Sequence, residues 1–161
     1  MQYIASCSFG KDSLATIILC KEYGEPLDRV VYSEVMYDEN ISGEHPVHRD
    51  FIYNTAIPLL TEWGIPVDVV RSKETYKSIF YKVTKRSKYP ERIGKLYGFP
   101  IPFKCNVNAL CKVAPIRAYY KKIKEPIIQY VGIAVDEPKR LERLRGTNKV
   151  SLLEKYKLTE K

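Results

Sequence analysis

The chain has 161 residues, 45% of them hydrophobic, which is enough to bury one core and close to the commonest size of a single domain. Four cysteines, with no Cys-x-x-Cys pair, exclude a disulfide scaffold and announce no zinc site. The net charge of +8 is unevenly spread: acidic residues outnumber basic ones 11 to 4 over positions 1–70, whereas Lys and Arg outnumber Asp and Glu 10 to 2 over 71–104 and 13 to 6 over 105–161. Such segregation suits a polyanionic partner, a nucleotide with several phosphates or a nucleic acid, although a solvated basic face produces it too. No apolar run is long enough to span a bilayer, and Met1, Gln2 and Tyr3 lead into strand-like sequence without the zones of a signal peptide. A cytoplasmic protein with free thiols is expected.

In chain order, residues 3–7 form a short apolar run ended by a glycine-containing turn and read as a buried first strand. From Ser13 the spacing becomes helical through Leu14, Ile17 and Ile18, and Gly24 with Pro26 closes the segment. Residues 29–36 give a second, β-branched strand that runs into the polar loop 37–43. Ile52, Ala56, Leu59, Leu60 and Trp63 mark one helical face, in which Pro58 predicts a kink or a split. A third strand covers 67–70. The stretch 73–104 is irregular and reads as a long loop with one short helix near 76–83, a length that in a compact domain goes with function or disorder. Val113, Ile116, Tyr120 and Ile123 predict a further helix, residues 127–135 a fourth strand, and the sequence from Leu141 onward is charged and weakly helical. The expected organisation is an α/β nucleotide-binding domain over 1–140 followed by a charged C-terminal tail over 141–161. Alternating strands and helices imply a parallel sheet with ligands beyond its carboxyl edge, where loops 8–13, 37–43 and 136–140 gather.

The loop Ser8, Phe9, Gly10, Lys11, Asp12, Ser13 carries the most specific chemistry. A glycine turn opening a helix directly after a first strand aims backbone N–H groups and the helix dipole at one spot, an anion site. Ser8 and Ser13 add hydroxyl donors and Lys11 a mobile cation, while Asp12 has a place either as a ligand to nucleotide-borne Mg²⁺ or as a group orienting the loop amides. The plainer reading of the same residues is a capped turn.

The pattern Ser8-x-Gly10-x-Asp12-Ser13 resembles the signature of the PP-loop superfamily, which includes phosphoadenylyl-sulfate (PAPS) reductases, ATP sulfurylase small subunits, ATP-dependent tRNA thiolation enzymes and DNA phosphorothioation sulfurtransferases. The run from Tyr130 through Gly132, Asp136, Glu137, Pro138 and Arg140 to Leu141 is similar to a group of bacterial and phage proteins labelled PAPS-reductase-like, and the resemblance covers nearly the entire chain. It implies a three-layer α/β/α fold of the adenine nucleotide alpha hydrolase type, with a mostly parallel sheet of about five strands. It places ATP or a PAPS-like nucleotide with phosphates on residues 8–13, adenosine by Tyr37 and Asp38, and Arg140 within reach of an anionic group. Arg140 reads equally as a surface arginine in Lys139-Arg140-Leu141-Glu142-Arg143.

The implied chemistry is adenylation, with Lys11 and Arg140 stabilising developing charge as pyrophosphate leaves, or sulfur-related group transfer. True sulfonucleotide reductases use a nucleophilic cysteine on a C-terminal tail, yet no cysteine follows Cys111 here, and an iron–sulfur cluster, which needs four thiolates close together, is not expected. Similar proteins continue further, so the chain reads as truncated or as a shortened relative, and a catalytically inactive nucleotide- or nucleic-acid-binding module is the alternative. Cys105 and Cys111, flanked by Lys104 and Lys112, are candidates for persulfide chemistry or are ordinary thiols. His45 and His48 read as surface residues, and Cys7 and Cys20 as core. The basic, tyrosine-rich stretch 82–95 offers tRNA or DNA a surface on which tyrosines stack on bases and cations meet phosphates. It also reads as a lid over the nucleotide, or as an irregular loop kept soluble by its lysines.

Overall fold

A computed structural model describes residues 1–100 and 105–159. In chain order it contains β1 (Gln2–Ser6), α1 (Lys11–Tyr23), β2 (Arg29–Ser33), α2 (Pro46–Phe51), α3 (Ile57–Glu62), β3 (Val67–Val70), α4 (Tyr76–Phe80), α5 (Ala114–Tyr120), β4 (Ile127–Tyr130), α6 (Pro138–Glu142), β5 (Lys149–Val150) and α7 (Leu152–Lys155). The strands form one five-stranded parallel sheet in the order β3-β2-β1-β4-β5. The expected α/β class with a parallel sheet is therefore present.

Backbone contacts divide the chain into two compact units, 1–32 with 50–69 and 122–161, and 33–49 with 70–121. The first unit owns the main core. Ile17, Leu19 and Cys20 of α1, Val30 and Tyr32 of β2, Ile52, Ala56 and Leu60 of the helical segment before β3, and Tyr130 of β4 are all buried in it. The helical face expected over 52–63 is thus present with one exception, since Leu59 is exposed.

Pro58 does not split that segment, since the backbone stays helical through Phe51, Ala56 and Ile57. A π-turn, Ile52–Ala56, joins α2 to α3, with the N–H of Ile57 donating to the carbonyl of Ile52. Proline cannot donate an i→i−4 bond and its ring crowds that carbonyl; widening the preceding turn accommodates both faults without ending the helix. The same device recurs ahead of Pro115, where the N–H of Ala114 donates to Ala109 across the π-turn Asn108–Val113.

The sequence sets 141–161 apart as a tail, but residues 149–155 within it build β5 and α7 and bury Leu152 and Leu153 in the first core. Ser151 caps α7 by accepting from the N–H of Glu154 at 3.3 Å, and its hydroxyl donates to the carbonyl of Ile133 at 2.5 Å. The second unit contains α4, as expected within 76–83, but residues 82–98 of the long stretch are tied rather than loose: Val83 bridges Leu96 in antiparallel fashion, and Thr84 N–H donates to Lys95 O at 2.9 Å; residues 101–104 of that stretch lie outside the described residues. Among the described residues, no helix is long and apolar enough to cross a membrane.

Candidate functional site

Strand order locates the site. The chain leaves β1 through α1 toward β2 on one side and leaves β4 through α6 toward β5 on the other, so the loops after β1 and β4 diverge from neighbouring strands. In open parallel sheets that divergence opens the crevice in which ligands bind.

The loop after β1 is held in shape by Ser13. Its hydroxyl donates to the carbonyl of Gly10 at 2.9 Å and accepts from the N–H of Ser8 at 3.3 Å and the thiol of Cys7 at 3.4 Å. The hydroxyl proton expected to meet phosphate is therefore engaged in fastening the turn. Ser8 Oγ stands 3.5 Å from Ser13 Oγ on the exposed side.

The left-handed residue of the turn is Phe9, at φ 59°, and not Gly10, at φ −76°. A side chain at positive φ costs about 1 kcal/mol or somewhat more, whereas burying a phenylalanine ring contributes about 2 kcal/mol. The ring lies in the core, edge-on to Tyr32 with centroids 5.2 Å apart, so burial wins. Phe9 thus joins the loop through its backbone, and its side chain serves the core.

Gly10 is the N-cap of α1. The first amides of a helix have no partner within it, and α1 presents these with the positive end of its dipole. Lys11 is largely exposed and pairs loosely with Asp12, Nζ to Oδ1 3.7 Å. Asp12 alone provides a carboxylate on residues 8–13. Mg²⁺ arriving on a nucleotide takes one or two protein carboxylates at most, so Asp12 fits that role by its chemistry.

Gly132, just after β4, closes the other side. A Cβ there would stand 2.6 Å from the carbonyl carbon of Asp12 and 2.8 Å from the N of Ser13. Only a hydrogen lets the β4 loop touch the first turn of α1 this closely. Arg140, on α6, is exposed and ion-paired with Glu137, three residues before it.

Tyr37 and Asp38 belong to the second unit. Asp38 accepts from the N–H groups of Asn40 and Ile41 at 3.0 and 2.9 Å, and these bonds hold its carboxyl below the usual carboxylate range. It thereby shapes its own turn. Tyr37 stacks on Tyr76 at 5.8 Å with its ring half-exposed.

Cys111 is fully buried and donates its thiol to the carbonyl of Glu74 at 3.2 Å; burial, reinforced by Glu74, pushes the thiol pKa up. Such a thiol is a poor nucleophile at neutral pH. Cys105 is half-buried, with Sγ accepting from the N–H of Asn108, and Lys104, expected to flank it, lies outside the described residues. Cys7 and Cys20 are buried, as core residues should be. His48 pairs with Glu44 at 3.1 Å, and no group of three or more metal-ligating side chains occurs among the described residues.

One cluster has no counterpart in the sequence reading. Glu34, 0% exposed and directly after β2, accepts from Arg49 Nε at 3.1 Å and from Arg71 Nε and Nη2 at 2.8 and 2.5 Å. Its signal was a lone carboxylate inside the apolar run Val30-Val31-Tyr32-Ser33-Glu34-Val35-Met36. A buried carboxylate must be paired, but the sequence does not say with which cations.

Compared with known proteins, the chain matches no family model, no curated protein and no solved structure.

Proposed function

We propose that the protein binds an adenine nucleotide, ATP or a PAPS-like sulfonucleotide, with its phosphates at the loop of residues 8–13. In this reading the fold is a three-layer α/β/α member of the PP-loop superfamily. One observation carries the proposal: the N-terminus of a 13-residue helix stands at the point where a parallel sheet reverses its strand order. Gly10 leaves the backbone open to a phosphate, Lys11 supplies a mobile cation, and Ser8 contributes a hydroxyl on the exposed side. Asp12 would hold Mg²⁺ where the ligand brings it, and the metal would neutralise charge on the phosphates.

As an enzyme, the protein would cleave ATP between its α and β phosphates to adenylate an acceptor, with the loop retaining pyrophosphate, or would transfer a sulfur-related group. The buried Cys111 and the pairing of Arg140 with Glu137 favour a second reading, binding without turnover.

Two measurements separate these. Saturating MgATP or adenosine 3′,5′-bisphosphate should raise the melting temperature, by the equivalent of about 2.7 kcal/mol at a hundredfold excess over Kd. Pyrophosphate release in the presence of candidate acceptors marks the enzyme, and thermal stabilisation without release marks the binding module. Absence of stabilisation by any adenine nucleotide rejects both.

A further inference from the structure

Within the second unit, residues 80–98 fold back on themselves. Tyr97 N–H donates to Lys82 O at 2.8 Å and Gly98 N–H to Phe80 O at 3.0 Å, while Gly94 N–H donates to Thr84 O at 2.9 Å. The two arms and the start of the helical segment at Asn106 enclose a cavity of about 480 Å³. Four cations line it, Arg86, Lys88, Arg92 and Lys95, and no Asp or Glu is among its described lining residues. Its walls carry Tyr89, Tyr97 and Phe99, of which Phe99 is 73% exposed.

Each half of this arrangement is unfavourable by itself. Like charges gathered around one cavity repel, and the rings are only partly covered, Tyr89 by the Arg92 guanidinium 5.1 Å from its centroid and Phe99 by Phe80 edge-on at 4.9 Å, so both stay more than half exposed and forgo much of the burial that stabilises aromatics elsewhere. Lys82, just outside, shows the ordinary arrangement, an ion pair with Glu74 at 2.8 Å. A ligand that is both anionic and flat relieves both costs together. An inorganic anion would leave the rings unused, and an apolar ligand would leave the charges facing one another.

We propose that this cavity seats a nucleotide unit of a single-stranded nucleic acid, with the base against Tyr89, Tyr97 or Phe99 and the phosphates among the four cations. A strand fits better than a free nucleotide because the positive charge continues along the chain through Lys73, Lys77 and Lys85. The pocket is independent of the loop at residues 8–13, and its test does not require that loop.

The test is fluorescence anisotropy of the full chain with a labelled oligothymidylate or oligouridylate of about 12 nucleotides, at about 50 and 200 mM salt. The strand should bind, weakening steeply with salt. Arg86→Gln/Lys88→Gln/Arg92→Gln should lower affinity more than tenfold at low salt and reduce the salt slope by about 2, at roughly 0.7 per lost contact. Tyr89→Ala should weaken binding about tenfold without changing the slope. Lys121→Gln/Lys122→Gln/Lys124→Gln removes as much charge outside the cavity and should have a far smaller effect. No binding of the strand, equal losses in the two triple variants, or competition by thymidine monophosphate at the strand's own affinity would overturn the proposal.

Discussion

Gly132 and Gly10 both adjoin the first turn of α1 and answer to different constraints. A methyl group at 132 meets the backbone of Asp12 and Ser13 below 3 Å, and backbone yields only by moving the loop or the helix. Gly132→Ala should therefore cost about 2–3 kcal/mol, read as a lower urea midpoint with an unchanged m value. At Gly10 the nearest atom to a new Cβ is Ser8 Oγ, at an ordinary 3.6 Å, and φ is one that alanine adopts freely. Gly10→Ala should cost only about 0.5 kcal/mol of stability, as loss of an N-cap glycine does, while nucleotide affinity falls, because the methyl occupies the face a phosphate would approach. Glu34 is tested in the same way. Glu34→Gln leaves Arg49 and Arg71 facing each other without a carboxylate, and we expect a loss of about 2–3 kcal/mol, at the low end for a buried pair because both guanidinium groups are about half exposed.

At the scale of elements, α7 depends on polar anchors to the end of α1. Glu25 Oε1 accepts from Tyr156 Oη at 2.5 Å and pairs with Lys155, and Tyr23 stacks on Tyr156 with centroids 4.2 Å apart. The bonds from Lys155 and Tyr156 hold the Glu25 carboxyl below its ordinary value of 4.5. A carboxyl that ionises more readily folded than unfolded stabilises the protein fully above its unfolded pKa, and this contribution is lost as the pH falls through its folded pKa. The Lys155 ammonium, raised by the same pair, contributes below its ordinary 10.5 and loses that contribution as the pH rises through its folded value. Glu25→Gln should flatten the decline of the urea midpoint on acidification below about pH 4.5, leaving the shape of the curve near neutrality unchanged.

This anchor was not legible in the sequence, since Glu25 and Tyr156 are separated by 130 intervening residues and β5 is a two-residue strand within charged sequence. The longer strands were legible in place but not in extent: the mainly apolar runs 29–36 and 127–135 announce strands, of which only Arg29–Ser33 and Ile127–Tyr130 pair in the sheet. Pro58 and Pro115 show in the sequence that a helical bond is missing. They do not say that a π-turn replaces it.

For the whole molecule, the strand order is what turns a capped turn into a candidate site. Residues 8–13 advertise an anion-binding turn by themselves, but the reversal between β1 and β4 depends on long-range pairing, Ala5 with Tyr130 and Ile4 with Gln129. No local pattern encodes it. The segregation of charge was legible by counting, and the basic stretch from Val70 to Lys121 falls within one of the two units. Which of its cations share a cavity required the fold, because the arms that bring Arg86 and Lys95 to one pocket are joined by backbone bonds that any residues could make.

The most direct test of the nucleotide proposal is calorimetric titration of the purified chain and of Asp12→Ala and Gly10→Ala with MgATP, AMP and adenosine 3′,5′-bisphosphate. The wild type should bind MgATP or the bisphosphate saturably and AMP more weakly, with at least a tenfold loss in both variants while each remains folded. Equal affinity of wild type and variants, or no binding of any of the three nucleotides, would contradict the proposal.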